Sequence, residues 1–96
     1  MPLEHIIWLR PNPDTSDEQL DGLLQQLKAL EGTVPGVVSI TAGRNITDRA
    51  AGCTHGAIVT LENSAALQPY LDHPDHQVVG GRLRDAAELL VMDYER

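Results

Sequence analysis

The 96-residue sequence predicts a ferredoxin-like α+β fold. Three observations predict this class: four short segments have strand patterns, two longer segments have helical signals, and their order is β-α-β-β-α-β. That order gives one antiparallel four-stranded sheet with helices on one face. A chain of this length has room for one core, so we expect a single domain over residues 1–96.

The first strand and the first helix are predicted by alternation and by a capping signature. Residues Glu4 to Arg10 place apolar side chains on both faces of an extended segment, and Pro11 ends it. Ser16 followed three residues later by Gln19 forms a capping box, which marks a helix start. A leucine face follows at helical spacing, and Gly32 is placed to end the helix. The leucines of that face are Leu20, Leu23, Leu24, Leu27 and Leu30.

The middle of the chain contains two strands joined by a polar loop. Val37 to Ala42 is short and rich in β-branched residues after a Pro-Gly turn, which predicts the second strand. Residues 43–52 are polar and typical of a loop. Thr54 to Glu62 alternates and predicts the third strand.

The last third of the chain supplies further helices and the fourth strand. Asn63 can cap a short helix that runs to about Leu71. Pro74 suits the first turn of a longer helix over about residues 75–87. Leu89 to Tyr94 then predicts the strand that closes the chain.

Charge and composition exclude several classes of function. Fourteen acidic and seven basic residues give a net charge of −7, whereas nucleic acids and anionic membranes require a basic surface, so we expect neither as a partner. Cys53 is the only cysteine, which excludes an internal disulfide. No apolar run approaches ~18 residues and no signal-peptide pattern is present, so we expect a cytoplasmic protein. The core must be small without Phe, which favours a homodimer.

Both faces of the predicted sheet are apolar. The helices cover only one face, and an exposed apolar sheet of this size is unfavourable in water. We expect two sheets to pair face to face and to enclose a cavity, into which His5 and His55 would point. The side chains assigned to that uncovered face are His5, Ile7, Leu9, His55, Ala57, Val59 and Leu61.

One segment, residues 70–76, concentrates ionisable side chains. Its sequence is Tyr-Leu-Asp-His-Pro-Asp-His, and imidazole can accept or donate a proton near neutral pH. His76 is therefore a candidate for proton transfer or ligand binding, and the alternative is a helix-start histidine bonded to backbone. Tyr70 is a candidate partner, or it simply buries its ring. His73 is expected to be a structural cap.

Two other kinds of site are less favoured by the sequence. His73 and His76 have the spacing of metal ligands, but Pro74 distorts that geometry and no third ligand is fixed, so we predict no metal site. Cys53 lies two residues from His55 and shares a strand face with it. No further base is arranged around this thiol, so a nucleophilic cysteine is not predicted.

An ordered set of motifs resembles the stress-responsive A/B barrel (Dabb) family. The set runs from about Glu4 to Tyr94, and its members stand in the family's order and nearly at its spacing. The resemblance implies a dimeric α+β barrel, an association with stress responses, and a small organic molecule as ligand. The motifs are His-Ile-Ile-Trp-Leu, Gly-Arg-Asn after the second strand, Thr-His opening the third, Tyr-x-x-His-Pro-x-His, and the terminal Val-Met-Asp-Tyr.

The resemblance also implies roles for individual residues, because one plant enzyme of the family closes a linear polyketide by intramolecular aldol condensation. By that similarity, His76 would be the general base, Tyr70 would position the carbonyl, and Asp93 would orient an imidazole. This chain departs from that plant enzyme because it has no Phe to line the cavity, so its substrate tunnel would have a different shape. The residues that would line the cavity are His5, Ile7, Leu9, Leu23, Leu24, His55, Ala57 and Asp93.

Three functions stay open at this point. The first is a protein that binds a small organic molecule, or protects against stress, without catalysis. The second is a polyketide cyclase or lyase that needs no cofactor. The third, less favoured, is a cofactor-free barrel monooxygenase, which shares the dimeric architecture.

Overall fold

The computed structural model describes all residues, 1–96, and confirms the predicted fold class. Its sheet has the strand order β2-β3-β1-β4, and every neighbouring pair is antiparallel. The strands are β1 (Leu3–Pro11), β2 (Val37–Arg44), β3 (His55–Leu61) and β4 (Ala87–Glu95). The helices are α1 (Asp17–Lys28), α2 (Leu67–Asp72) and α3 (Pro74–Ala86), with a 3-10 turn over Ser64–Ala66 before α2.

Local signals in the sequence fix the starts of the two long helices. Ser16 accepts a hydrogen bond from the Gln19 backbone while the Gln19 side chain accepts one from the Ser16 backbone, which confirms the capping box. His73 caps α3, because its Nδ1 accepts a hydrogen bond of 3.1 Å from the Asp75 backbone. Pro74 occupies the first helical turn, where its missing N–H costs nothing. His73 is thus the structural cap that we predicted.

The core lies between the sheet and the helices. It consists of leucines from α1, valine and leucine from α3, the ring of Tyr70, and one face of the central strands. Leu9, Leu20, Val59 and Leu61 have no solvent exposure at all. No helix is both long and apolar enough to cross a membrane.

The structure corrects the predicted use of the two sheet faces. His5, Ile7 and Leu9 are not on the uncovered face: they are 5%, 5% and 0% exposed and point toward the helices. His55, Ala57, Val59 and Leu61 share that helix-covered face. The prediction was wrong because β1 is apolar on both faces, so alternation alone does not tell which face the helices cover.

The uncovered face is apolar, as expected, but the other set of side chains forms it. Ile6 stands beside Ile58 and Met92 across the sheet, and Trp8 stands beside Leu90. Trp8 is 46% exposed and Met92 is 64% exposed. Below, "the open face" means Ile6, Trp8, Ile58, Leu90 and Met92.

Candidate functional site

Four polar side chains meet between the sheet and the helices, and we call them the Tyr70 cluster. Tyr70 comes from α2, His76 from the first turn of α3, His5 from β1 and Asp93 from β4. The rings of Tyr70 and His76 have centroids 4.5 Å apart, and the His5 ring meets Tyr70 edge-on at 5.9 Å. The break between α2 and α3 brings Tyr70 and His76 together, because His73 ends one helix and caps the next.

The Tyr70 hydroxyl is the distinctive atom of this cluster. The side chain is fully buried, and its hydroxyl is the one buried side-chain polar atom without a hydrogen-bond partner. A buried unpaired hydroxyl costs about 1–3 kcal/mol, so its retention calls for an explanation. Burial raises the pKa of Tyr70 well above its usual value, so the group stays protonated and can donate a hydrogen bond.

His76 is held in one orientation that leaves one ring nitrogen free. Its Nδ1 lies 3.0 Å from the carbonyl oxygen of Leu71, and since a carbonyl only accepts, Nδ1 must donate. In the neutral ring the proton therefore sits on Nδ1, and Nε2 carries the lone pair. Burial lowers the pKa of His76 below its ordinary 6.5; the hydrogen bond to Leu71 raises it in part, and a smaller repulsion from residues that include Arg84 lowers it further. At neutral pH this side chain is a base.

His5 and Asp93 form a pair beside Tyr70. They are directly opposite in the β1–β4 ladder, and His5 Nδ1 lies 2.5 Å from Asp93 Oδ1. The ring is thereby held against the edge of Tyr70. Asp93 therefore contacts the His5 imidazole, and its role in orienting an imidazole of a working site stays a prediction.

His55 belongs to a different group of side chains, which we call the His55 cluster. Its Nε2 lies 2.9 Å from Asp21 Oδ1 and its Nδ1 lies 2.8 Å from Thr54 Oγ1. Arg44 binds the same Asp21 carboxylate through Nε and Nη2. The Arg44 hydrogen bonds, followed by that of His55, lower the pKa of Asp21 to about 2.

The four histidines therefore do not converge. His55 pairs with Leu9 and His5 pairs with Val59, so four residues of β1, roughly 13 Å of strand, separate the two rings. The physical reason is the antiparallel register of β1 and β3, and the His55 ring then binds Asp21 of α1 at its own end of the sheet. Of the four, only His5 and His76 join Tyr70.

The remaining predicted cavity residues contribute to the core around the Tyr70 cluster. Ile7, Leu9, Leu24 and Ala57 are buried in it, and Leu23 packs against it while partly exposed. Depressions of about 360 and 370 Å³ lie on the sheet around Trp8 and Ile6, and neither is lined by Tyr70 or His76. The cavity around His5 and His76 therefore stays a prediction.

Sequence reasoning missed two residues beside His76. A Cβ built on Gly80 would lie 3.3 Å from His76 Cε1 and 3.3 Å from Arg84 Nη1. His76, Gly80 and Arg84 are spaced by four residues in one helix, a spacing that places them on one face. That spacing is visible in the sequence once α3 is known to be a single helix.

The Tyr70 cluster combines the groups needed for proton transfer at carbon. A neutral imidazole with a free Nε2 can remove an acidic proton, and a protonated phenol beside it can donate to a carbonyl oxygen that gains negative charge. In the His55 cluster, by contrast, both ring nitrogens already have partners.

The chain matches one protein family over nearly its whole length and is similar to one named enzyme. The family described as "Stress responsive A/B Barrel Domain" matches residues 3–96. The chain is similar to olivetolic acid cyclase of Cannabis sativa, with 28% identity over 98% of this chain and 96% of the enzyme.

Solved structures agree with the fold. A dimeric ferredoxin-like protein of unknown function from Jannaschia sp. CCS1 superposes with a TM-score of 0.87, is 26% identical and covers 100% of both chains. Hydroxynitrile lyase from Passiflora edulis superposes with a TM-score of 0.86, is 21% identical and covers 97% of this chain and 91% of its own.

Proposed function

The chain belongs to the stress responsive A/B barrel domain family, and from that membership and the Tyr70 cluster we propose that it binds a small enolisable carbonyl compound and catalyses proton transfer on it. The observation that carries the proposal is the buried Tyr70 hydroxyl, which has no hydrogen-bond partner. The Tyr70 ring lies beside the His76 ring, with the two centroids 4.5 Å apart. A carbonyl oxygen of a ligand would supply the missing acceptor. The similarity to a cyclase supports the same class of substrate.

The reaction proposed is an intramolecular aldol closure that uses only side chains of the protein. His76 Nε2 removes a proton from a carbon between two carbonyl groups, and the C–H electron pair becomes an enolate. Tyr70 donates a hydrogen bond to the enolate oxygen. The enolate carbon then forms a C–C bond to a second carbonyl of the same molecule, and the resulting alkoxide takes the proton back from the His76 imidazolium.

His5 and Asp93 would position Tyr70 in this scheme. The Asp93 carboxylate holds the His5 ring, which contacts Tyr70 at its edge. A phenol fixed on two sides needs no reorganisation when the oxygen of the substrate gains charge. Ile7 and Leu24 would pack against the apolar part of the ligand. His55, engaged with Asp21 and Thr54, has no direct role in the proposed step.

Deuterium exchange of a simple β-diketone tests the proposal. Heptane-3,5-dione in D₂O loses its C4 proton signal as the enolate forms, and we expect wild-type protein to accelerate the loss above the buffer rate. His76→Gln should lower that acceleration by at least about a hundredfold, and Tyr70→Phe by about a hundredfold. The control is His73→Asn, which removes an imidazole but keeps a good helix cap, and it should change the rate by less than about twofold.

The outcomes separate the two candidate functions. Binding of the diketone without exchange in wild type would favour a binding protein without catalysis, and would rule out the proton-transfer proposal. If His76→Gln exchanges as fast as wild type, the general base has been wrongly assigned.

We also propose that two copies of the chain pair through the open face. Trp8 and Met92 expose large apolar area there, which a second copy would remove from water. The Jannaschia protein that this chain resembles is described as dimeric. Sedimentation equilibrium should give twice the chain mass, and Trp8→Glu should give the monomer. Val78→Glu, an exposed position on α3, is the control and should stay dimeric; a dimeric Trp8→Glu would contradict the proposal.

A further inference from the structure

Three residues of α3 form a stripe from the surface to the Tyr70 cluster. His76, Gly80 and Arg84 lie on one face of the helix, and long helical side chains point back toward the N-terminus. Arg84 therefore reaches over Gly80 toward His76. Arg84 is exposed and His76 is 9% exposed, so the stripe connects solvent with the buried rings.

Gly80 leaves the space between the Arg84 and His76 side chains open. Its missing Cβ would lie 3.3 Å from both Arg84 Nη1 and His76 Cε1, and 3.7 Å from His76 Nε2. Any larger side chain would stand between the guanidinium and the imidazole. The Arg84 guanidinium and the Cε1–Nε2 edge of His76 thus border the same gap, and Nε2 is the ring nitrogen that is not bound to Leu71.

Arg84 has no anionic partner within the protein. Arg10, Arg44 and Arg96 each form an ion pair with a carboxylate, and Arg82 donates to Gln26. Two arginine side chains form neither kind of bond: Arg49 lies in the loop between β2 and β3, whereas Arg84 lies beside Gly80 and His76 on α3. A guanidinium left free beside a candidate general base can donate its N–H hydrogen bonds to an anion.

We propose that Arg84 is the anion-recognition residue of the Tyr70 cluster and that the ligand is a carbonyl compound bearing a carboxylate, a β-keto acid or its longer homologue. This inference rests on the proposed function for the location of the ligand. The carboxylate would bind the guanidinium through two parallel hydrogen bonds while the ketone portion extends toward Tyr70. The same negative charge would offset the positive charge that appears on His76 when it accepts a proton.

A matched pair of probes tests the inference. The probes are 3,5-dioxohexanoate and its methyl ester, which share the acidic carbon and differ in charge. Binding is followed by the shift of the His76 ring proton in NMR spectra, assigned by its absence in His76→Gln. We expect wild type to bind the carboxylate about tenfold more tightly than the ester, and Arg84→Gln to bring this ratio close to one.

Arg82→Gln is the control, because Arg82 lies on the same helix but bonds to Gln26. It should keep the tenfold preference, and Arg84→Lys should keep part of it because the charge is retained. Equal binding of the two probes by wild type, or a preference that survives in Arg84→Gln, would overturn the inference.

Proton exchange measured on the same samples separates this inference from the proposed function. If wild type exchanges the acidic protons of both probes but shows no charge preference, the function stands and the role of Arg84 falls. If wild type prefers the carboxylate through Arg84 but exchanges nothing, the role of Arg84 stands and the function falls. Failure to bind either probe overturns both.

Discussion

The Tyr70 cluster and the His55 cluster lie on the same face of one sheet, yet their hydrogen bonding differs. In the His55 cluster both ring nitrogens are occupied, and Asp21 is shared with Arg44. In the Tyr70 cluster a buried hydroxyl has no partner and His76 uses only one ring nitrogen. A buried histidine is thus a functional candidate when it or a neighbouring group lacks a hydrogen-bond partner, whereas fully paired groups contribute to stability.

The largest effect on this comparison should come from truncating the two histidines. His55→Ala removes a fully buried ring and leaves Thr54 and Asp21 without that partner, so we expect a loss of about 2 kcal/mol in the free energy of unfolding. His76→Ala should cost only about 1 kcal/mol, because the Leu71 carbonyl keeps its bond from Gln77. Urea unfolding measures the loss for each variant, and equal losses for His55→Ala and His76→Ala would contradict the expected difference between the two clusters.

Tyr70→Phe should increase stability, which is unusual for a change in a buried position. The variant keeps the ring and removes a hydroxyl that has no partner, so we expect a gain of about 1 kcal/mol. The same variant is expected to lose activity, and opposite signs for stability and activity are the mark of a group retained for function. A loss of stability on urea unfolding would mean that the hydroxyl has a partner in solution.

The two neighbouring glycines of α3 allow a matched test of the stripe. Gly81 has open space around it, so Gly81→Ala should raise the free energy of unfolding by about 1 kcal/mol through its higher helix propensity. Gly80→Ala should gain clearly less, because its Cβ would press on His76 and Arg84 at 3.3 Å. Thermal unfolding of both variants gives the difference, and equal gains would show that His76 and Arg84 move aside freely.

The smallest effects should appear in the pH dependence of stability, in separate ranges for the two clusters. The folded protein holds the pKa of His76 below 6.5, so the unfolded chain takes up the proton first and stability falls as the pH drops below about 6.5. Asp21 has a pKa of about 2 against 3.8 unfolded, so its contribution is present above 3.8 and is lost as the pH falls toward 2. The free energy of unfolding is measured at a series of pH values. His76→Gln should remove its slope below about pH 6.5, and Asp21→Asn should remove its slope between pH 3.8 and about 2.

The sequence was sufficient for the fold because its signals are local. The capping box at Ser16, the proline at the start of α3 and the β-strand alternation each act within a few residues, and all agree with one topology. The assignment of sheet faces failed because Ile6 and Trp8 are as apolar as Ile7 and Leu9. Which of two apolar faces meets the helices depends on packing across the whole domain.

The candidate site was only partly predictable for the same reason. Tyr70 and His76 are close in sequence, and their contact follows from one short break between helices. The separation of His55 from His5 depends on the register between β1 and β3, two strands that are far apart in the chain. The position of Arg84 near His76 was not predicted, because it depends on the open space that Gly80 leaves between them. In the sequence, a glycine within a helix indicates only a weaker helix.

The alternation of β1 has an evolutionary consequence. Its odd positions carry His5, Ile7 and Leu9 toward the helices, and its even positions carry Ile6 and Trp8 to the open face. Inserting or deleting one residue within the strand would exchange the two sets, and would move an imidazole outward and an indole inward at once. We therefore expect selection to act more strongly against insertions and deletions in β1 than against single side-chain replacements.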